Sequence, residues 1–476
     1  MESAERWFDQ FGVDDAIVRR VLSEATALGA DDADVFFEHS VSTAVGLSDN
    51  VVNRAHTTID LGMGVRVVVG DQVGYAYTED LELESLLHAA RTARSIARSG
   101  TTQAVPVLAR RKVPDLYPVD LRWSDVALDV RVPMVRRWEE LAFAKDPRVR
   151  KVRASLADSD TVVMVARADG TIVTDYRPMT DASVSVTAME GDLRETGNYN
   201  ISLRGDRSVY TPDREQRLVD QAVDRALLAL SATSPPAGEM PVVLAAGSSG
   251  ILLHEAIGHG MEADFNRKNV SIYADKIGKE IAKPFVNIVD DATAQFARGA
   301  INVDDEGNPA GVTRLVDKGV LTTYLHDAIS AKHYRVAPTG NGRRQSYQFA
   351  PMPRMRATYM LPGPHKRDEI IASVKKGIYC DNFSNGQVQI GAGDFTFYVK
   401  NGFLIEDGKL TRPIKDVNII GNGPKVLEKV DMVADDLIID EGGWTCGKDG
   451  QMVPVSQGMP TVRVASITVG GRGQKA

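Results

Sequence analysis

Residues 254–259 read His-Glu-Ala-Ile-Gly-His. Two neighbouring imidazoles can chelate one metal ion, and a carboxylate beside the first can take a proton from a water activated there. The familiar helical version spaces the histidines four apart, so that the rings diverge by about 40° around the axis. Here they are five apart. On an ideal helix that is about 140° of divergence, and a regular helix cannot aim both rings at one ion. Two distortions can. A π turn widens the helix so that residues i and i+5 stack. Alternatively the helix ends or bends near Gly258 and His259 returns from the next segment. Gly258 and Gly260 supply the backbone freedom for such a bend. The sequence leaves both open.

A catalytic zinc site needs a third protein ligand and keeps a fourth position for water. The chain has two cysteines. Cys446 lies in "DEGGWTCGKDGQ", which reads as a polar, Gly-rich loop with Lys448 two residues on, and it is the candidate. Cys380, in "KKGIYCDNF" at the end of an apparent strand, reads as a small core residue. Glu255 sits in a nearly apolar stretch, where an unpaired carboxylate is costly. Glu262 and Asp264 follow the pair and could hold a ligand histidine from behind, or be plain solvated carboxylates. A further oxyanion donor is expected. His326 and the arginines of "GNGRRQSY", Arg343 and Arg344, are candidates, although core or surface roles are the commoner use of such residues.

These residues need elements to carry them. "VVLAAGSS" reads as a strand, followed by a Gly turn and the helix bearing the histidines. Upstream, residues 13–29, 80–99, 125–145 and 212–231 show helical apolar spacing, the last with Pro212 in its first turn. "ADVFFEHSVSTAVGLSDN" reads as strands. Gly70-Asp71 and Asp169-Gly170 read as hairpin turns, the second as type I′. "SATSPPAGEMP", residues 231–241, reads as a linker. Beyond it short strands and Gly-rich turns dominate. The expected class is α+β in two domains: an α/β N-terminal domain, 1–235, and a β-rich C-terminal domain, 236–476, carrying the metal-binding helix. "GQVQIGAGDF" (386–395) alternates small and apolar residues, as a strand edge admitting a peptide backbone would. The tail "GGRGQKA" reads as frayed.

Composition narrows the partners. With 43% hydrophobic and 25% charged residues the chain is ordinary globular protein. A net charge of −8 speaks against nucleic acid, which needs a basic surface. No signal segment shows at the acidic N-terminus, and no apolar run reaches the roughly 20 residues of a bilayer span. Two cysteines make no disulfide framework. The expectation is a cytoplasmic protein without membrane contact.

The stretches "LLHEAIGHGMEADFNRK" (252–268), "GNGRRQSYQFAPMPRMRATYMLPG" (340–363), "NGQVQIGAGDFTF" (385–397) and "CGKDGQMVPVSQGMPTVRV" (446–464) resemble the TldD/PmbA (TldD/TldE) peptidases, and within them the metal-binding TldD branch. The resemblance runs nearly end to end. It implies a zinc-dependent peptidase with one zinc per chain, held by His254, His259 and Cys446, with Glu255 as catalytic base. All four positions are present. It further implies unfolded or unstructured peptides as substrates. It implies a TldE/PmbA-like paralogue as heterodimer partner, or a homodimer, with the site enclosed by the pair. The alternative is a non-catalytic regulatory protein of the gyrase-modulator type, with a structural zinc. An intact Glu255 favours the enzyme, since a binding module needs no base beside its metal.

Overall fold

The computed structural model describes residues 5–96 and 104–471. Two antiparallel hairpins dominate the first half, Asp32–Ser48 with Val51–Val69 and Val149–Arg167 with Thr171–Glu190. Asp32–Ser48 pairs along its length with Val149–Arg167, so the two hairpins merge into one seven-stranded sheet. Gln72–Thr78 extends one edge; Leu193–Leu203 and the short Ala109–Arg110 both join Thr171–Glu190. Period-two burial along Val149–Arg167 gives the sheet an apolar face.

Helices cover that face in two groups. Asp15–Thr26 and Leu83–Ala93 pack on one half, with Val18, Leu22, Leu86 and Ala90 against Val35, Phe37 and Val65. Leu128–Lys145 and Pro212–Ser231 pack on the other, around Trp123 and Trp138. Capping agrees with the sequence pattern. Asp14 accepts the Ile17 N–H at 2.8 Å, and Thr211 caps the helix that begins at Pro212. The helix expected over 80–99 spans Leu83–Ala93 and continues as a 3₁₀ turn to Ile96; 97–99 lie outside the described residues, as do 472–476 of the tail.

Two details differ from the sequence reading. The turn at Asp169-Gly170 is not type I′: Gly170 alone has positive φ (+85°), and its N–H bonds the Arg167 carbonyl, a type I turn closed by a left-handed glycine. The segment 231–241 is not a free tether. Thr233 bridges to Ile414, and Gly238–Leu244 is already a strand.

That strand enters the second half. Lys409–Asn422, Asp394–Glu406, Lys376–Gln389, Gly238–Leu244 and Val462–Gly471 follow one another, and the last pairs back to the first, closing a barrel. Val430–Val433 hangs on its edge. A second six-stranded sheet runs Val320–Leu321, Val312–Asp317, Ile288–Asp291, Ala357–Met360, Ser456–Met459 and Ile438–Ile439. The architecture is α+β, with a β-rich second half. No helix among the described residues is long and apolar enough to cross a membrane.

The halves are joined by buried charge. Arg66 pairs with Asp34 at 2.5 Å and with Glu306. Arg344 reaches Asp34 at 3.0 Å and stacks on Phe36; Arg177 joins Asp175 (2.9 Å) to Asp305 (2.6 Å). Much of "GNGRRQSY" is thus spent docking the first sheet, and the Tyr347 N–H is donated to Glu38.

Candidate metal centre

The chain leaves Gly238–Leu244, turns through Gly247 (φ +93°) and enters a short helix at Ile251. Ile251, Leu252, Leu253, Ala256 and Ile257 are all buried between the barrel and the second sheet. A helix that is apolar all round belongs in a core, and each of the large side chains gains about 1.5–3 kcal/mol by leaving water. Glycine permits the fit. A Cβ on Gly250 would lie 2.6 Å from the Gly458 backbone nitrogen, and one on Gly258 would lie 2.0 Å from Met355 Sδ.

Between the two choices the sequence left open, the structure takes the π turn. Residues His254–Gly258 are π-helical, and the His259 N–H bonds the His254 carbonyl. The rings therefore meet edge to face, with centroids 5.0 Å apart and planes at 83°. Cys446 arrives from far along the chain, its Sγ 3.4 Å from His259 Nε2. One donor atom each from His254, His259 and Cys446 lies within 4.8 Å of the others, and all three residues are buried. Glu255 is the partly exposed member of the helix.

The segment around Cys446 is not a loop. Thr445–Lys448 and Gln451–Pro454 form a hairpin, with Asp449 (φ 48°) and Gly450 (φ 76°) as a type I′ turn. The Asp-Gly pair in "CGKDGQ" was the available signal. Arg354 donates to the Cys446 carbonyl at 2.6 Å, and Arg343 donates to the Pro454 carbonyl at 2.7 Å.

Behind the imidazoles stands a second layer of charge. His259 Nδ1 lies 3.0 Å from Glu262 Oε2. Lys448 Nζ lies 3.1 Å from the same oxygen and 2.8 Å from Asp264 Oδ1. Burial opposes ionisation of Glu262, but Lys448 and His259 outweigh it and hold its carboxyl down to about 2. Burial likewise opposes charge on Cys446, yet the two histidines bring its thiol well below the usual range. Burial pushes the Glu255 carboxyl up, against a smaller pull from the histidines.

Other candidates lie elsewhere. His326 packs among Tyr324 and Tyr334, and burial lowers its pKa to about 4. Arg343 and Arg344 serve the hairpin and the first sheet, as above. Cys380 is fully buried in Lys376–Gln389, and burial pushes its thiol up. "GQVQIGAGDF" is the tip of a hairpin rather than one strand, turning at 390–393. Beyond Cys380 this strand has Asp394–Glu406 on one side, while Gly238–Leu244 reaches only its residues 378–380. A Cβ on Gly386 would lie 2.3 Å from the Phe397 ring and 3.4 Å from Glu255 Cγ.

Models of the PmbA/TldA metallopeptidase match the chain three times: domain 1 at residues 33–97, the central domain at 122–230 and the C-terminal domain at 237–471. The metalloprotease TldD homolog of Haemophilus influenzae is 40% identical over 448 residues, covering 93% of each chain. The chain belongs to the PmbA/TldD metallopeptidase family. A Buchnera aphidicola TldD homolog is 38% identical over 470 residues, 96% of each chain. The zinc metalloprotease TldD homolog of Saccharolobus solfataricus is 26% identical over 465 residues, 95% of this chain and 99% of its own. The PmbA/TldD fold is also seen in crystal structures. TldE of Thermococcus kodakarensis superposes with a TM-score of 0.77 at 17% identity, covering 96% of this chain and all of its own. A Bacteroides thetaiotaomicron protein gives 0.77 at 22%, covering 99% of this chain and all of its own. The protein is a metallopeptidase.

Proposed function

We propose that this metallopeptidase hydrolyses unfolded or unstructured peptides at a single zinc ion held by His254, His259 and Cys446, with Glu255 as base. The observation that carries the reading is the π turn. It brings together, edge to face, two rings that a regular helix would splay and sets them beside Cys446 Sγ. Two imidazoles and a thiolate suit zinc, a borderline-soft ion. His254 Nδ1, buried without a hydrogen-bond partner, fits a site that expects a further occupant.

Zinc supplies Lewis acidity toward the scissile carbonyl and the attacking water. Glu255, kept partly in reach of solvent while burial raises its proton affinity, takes the proton of the attacking water and returns it to the leaving amine nitrogen. The strand beyond Cys380, with its second side free of a strand partner among the described residues and Gly386 beside Glu255, offers main-chain pairing to an extended peptide of any sequence. The same reading places the protein in the cytoplasm and pairs it with a TldE/PmbA-like paralogue or a second copy. The first is supported by two cysteines that remain unpaired, the second by a fold shared with TldE.

The test is elemental mass spectrometry on the purified chain and on Cys446→Ser, followed by cleavage of an unstructured peptide by wild type and Glu255→Gln. One zinc per chain, lost in the serine variant, is expected. Cleavage should fall by about 100-fold or more in the glutamine variant, the usual contribution of a general base. Metal without cleavage, in the chain alone and with its paralogue, would point instead to a regulatory protein with a structural zinc.

A further inference from the structure

We propose that Lys448 is the positioning residue of the metal centre, clasping the Cys446 hairpin to the far end of the histidine helix and setting which nitrogen of His259 faces the metal. The inference rests on the reading of the His254–His259–Cys446 cluster as a metal site. It goes beyond that reading by assigning a task to a residue that touches neither metal nor substrate.

Lys448 is two residues beyond Cys446 on one strand, so both side chains leave the same face of the hairpin. Both are buried, while Thr445 and Gly447 between and before them are exposed. The ammonium has three hydrogens, and three acceptors surround it: Asp264 Oδ1 at 2.8 Å, Glu262 Oε2 at 3.1 Å and the Pro353 carbonyl at 3.1 Å. Its charge also sits 4.2 Å from the Phe265 ring centre. Two of the three acceptors follow the histidine helix directly, 184 residues from Lys448 in the case of Asp264. The clasp therefore ties the element that carries the thiol to the segment that ends the π turn.

Glu262 passes the constraint on. Its side chain is fully buried, and one oxygen, Oε2, meets both Lys448 and His259 Nδ1. Paired with an ammonium, the carboxylate only accepts hydrogen bonds. In the neutral ring that a metal requires, the His259 hydrogen then belongs on Nδ1, facing Glu262, which leaves Nε2, 3.4 Å from Cys446 Sγ, as the nitrogen free for the metal. Lys448 thus acts on two prospective ligands by two routes: on Cys446 through the strand, and on His259 through Glu262. Among the described residues His254 has no such support, its Nδ1 being without a hydrogen-bond partner.

The experiment uses the full chain stripped of metal and titrated with Co²⁺ against a competing chelator. Wild type is expected to bind one cobalt with visible d–d bands and a thiolate-to-cobalt charge-transfer band. Lys448→Met should lower cobalt affinity about 10-fold or more, the usual range for lost outer partners of metal ligands. Its charge-transfer band should also shift in energy at saturation, which a loss of folded protein alone would not produce. Lys448→Arg restores the charge but not the three-way geometry, and should fall between. If wild type binds no cobalt, the metal reading itself fails. If wild type binds and Lys448→Met matches it in affinity and spectrum, only the role of Lys448 is overturned. Should Lys448→Met not fold, Glu262→Gln removes the charge through which Lys448 acts while keeping the side-chain shape. The same loss of affinity is expected there, and an unchanged affinity overturns the proposal.

Discussion

Arg66 offers the sharpest test of how the two halves are held. Its guanidinium is buried, and it bridges Asp34 of the first sheet and Glu306 of the second half. Replacing it with Met costs Asp34 one of two cations, Arg344 remaining at 3.0 Å, and costs Glu306 its cation, leaving the Ala328 N–H as its donor among the described residues, so the larger loss falls on Glu306. A buried carboxylate stripped of its partner costs about 3–5 kcal/mol. The cost must depend on pH. Burial already raises the Glu306 carboxyl, with Arg66 opposing, and removing Arg66 raises it further. A carboxyl whose folded pKa lies above its unfolded value lets the folded state hold the extra proton. The penalty is therefore absent below the unfolded value of 4.5 and grows as pH rises through the folded one. Arg66→Met should be only mildly destabilised near pH 5 and strongly so at pH 8. Because the chain has several cores, the readout is amide exchange of Val51–Val69 and Asp32–Ser48 beside the melting curve. Adding Glu306→Gln removes the stranded charge and should recover at least about half of the loss. A cost below about 1 kcal/mol at pH 8, equal costs at both pH values, or no recovery in the double variant would refute the reasoning.

Three further outcomes follow from single contacts. Gly250→Ala puts a Cβ 2.6 Å from the Gly458 backbone, which cannot yield as a side chain would. It should cost about 1–3 kcal/mol, read by melting, and loosen metal retention by displacing the helix, read by elemental analysis. Burial pushes the Glu38 carboxyl up to about 7, so wild type loses stability between its ordinary value of 4.5 and about 7 as pH rises. Glu38→Gln keeps an acceptor for the Tyr347 N–H and should remove that slope, gaining up to about 3 kcal/mol at pH 8 relative to pH 5 in denaturant titrations; an unchanged slope would assign it to other groups. Cys380→Ala should leave metal content unchanged, and a thiol titration of the native metal-free variant should then report Cys446 alone.

Much of this protein was legible as local pattern. Pro212 and a Thr cap mark the helix Pro212–Ser231, and apolar spacing marks Asp15–Thr26, because helix ends and faces are decided within a few residues. The five-residue spacing of His254 and His259 likewise required a departure from regular helix. Which departure it was depended on distant partners: a helix sealed between the barrel and the second sheet, with Gly258 against Met355, keeps its turns by widening one rather than by ending. Distance along the chain hid the rest. Nothing near Lys448 says that Glu262 and Asp264 will meet it, and nothing near Arg66 or Arg344 says that each will be buried on a carboxylate from the other half. A local pattern reports which side chains leave water. It does not report which of many charges a buried one will meet, because that choice is made only when the barrel closes and whole faces are buried together.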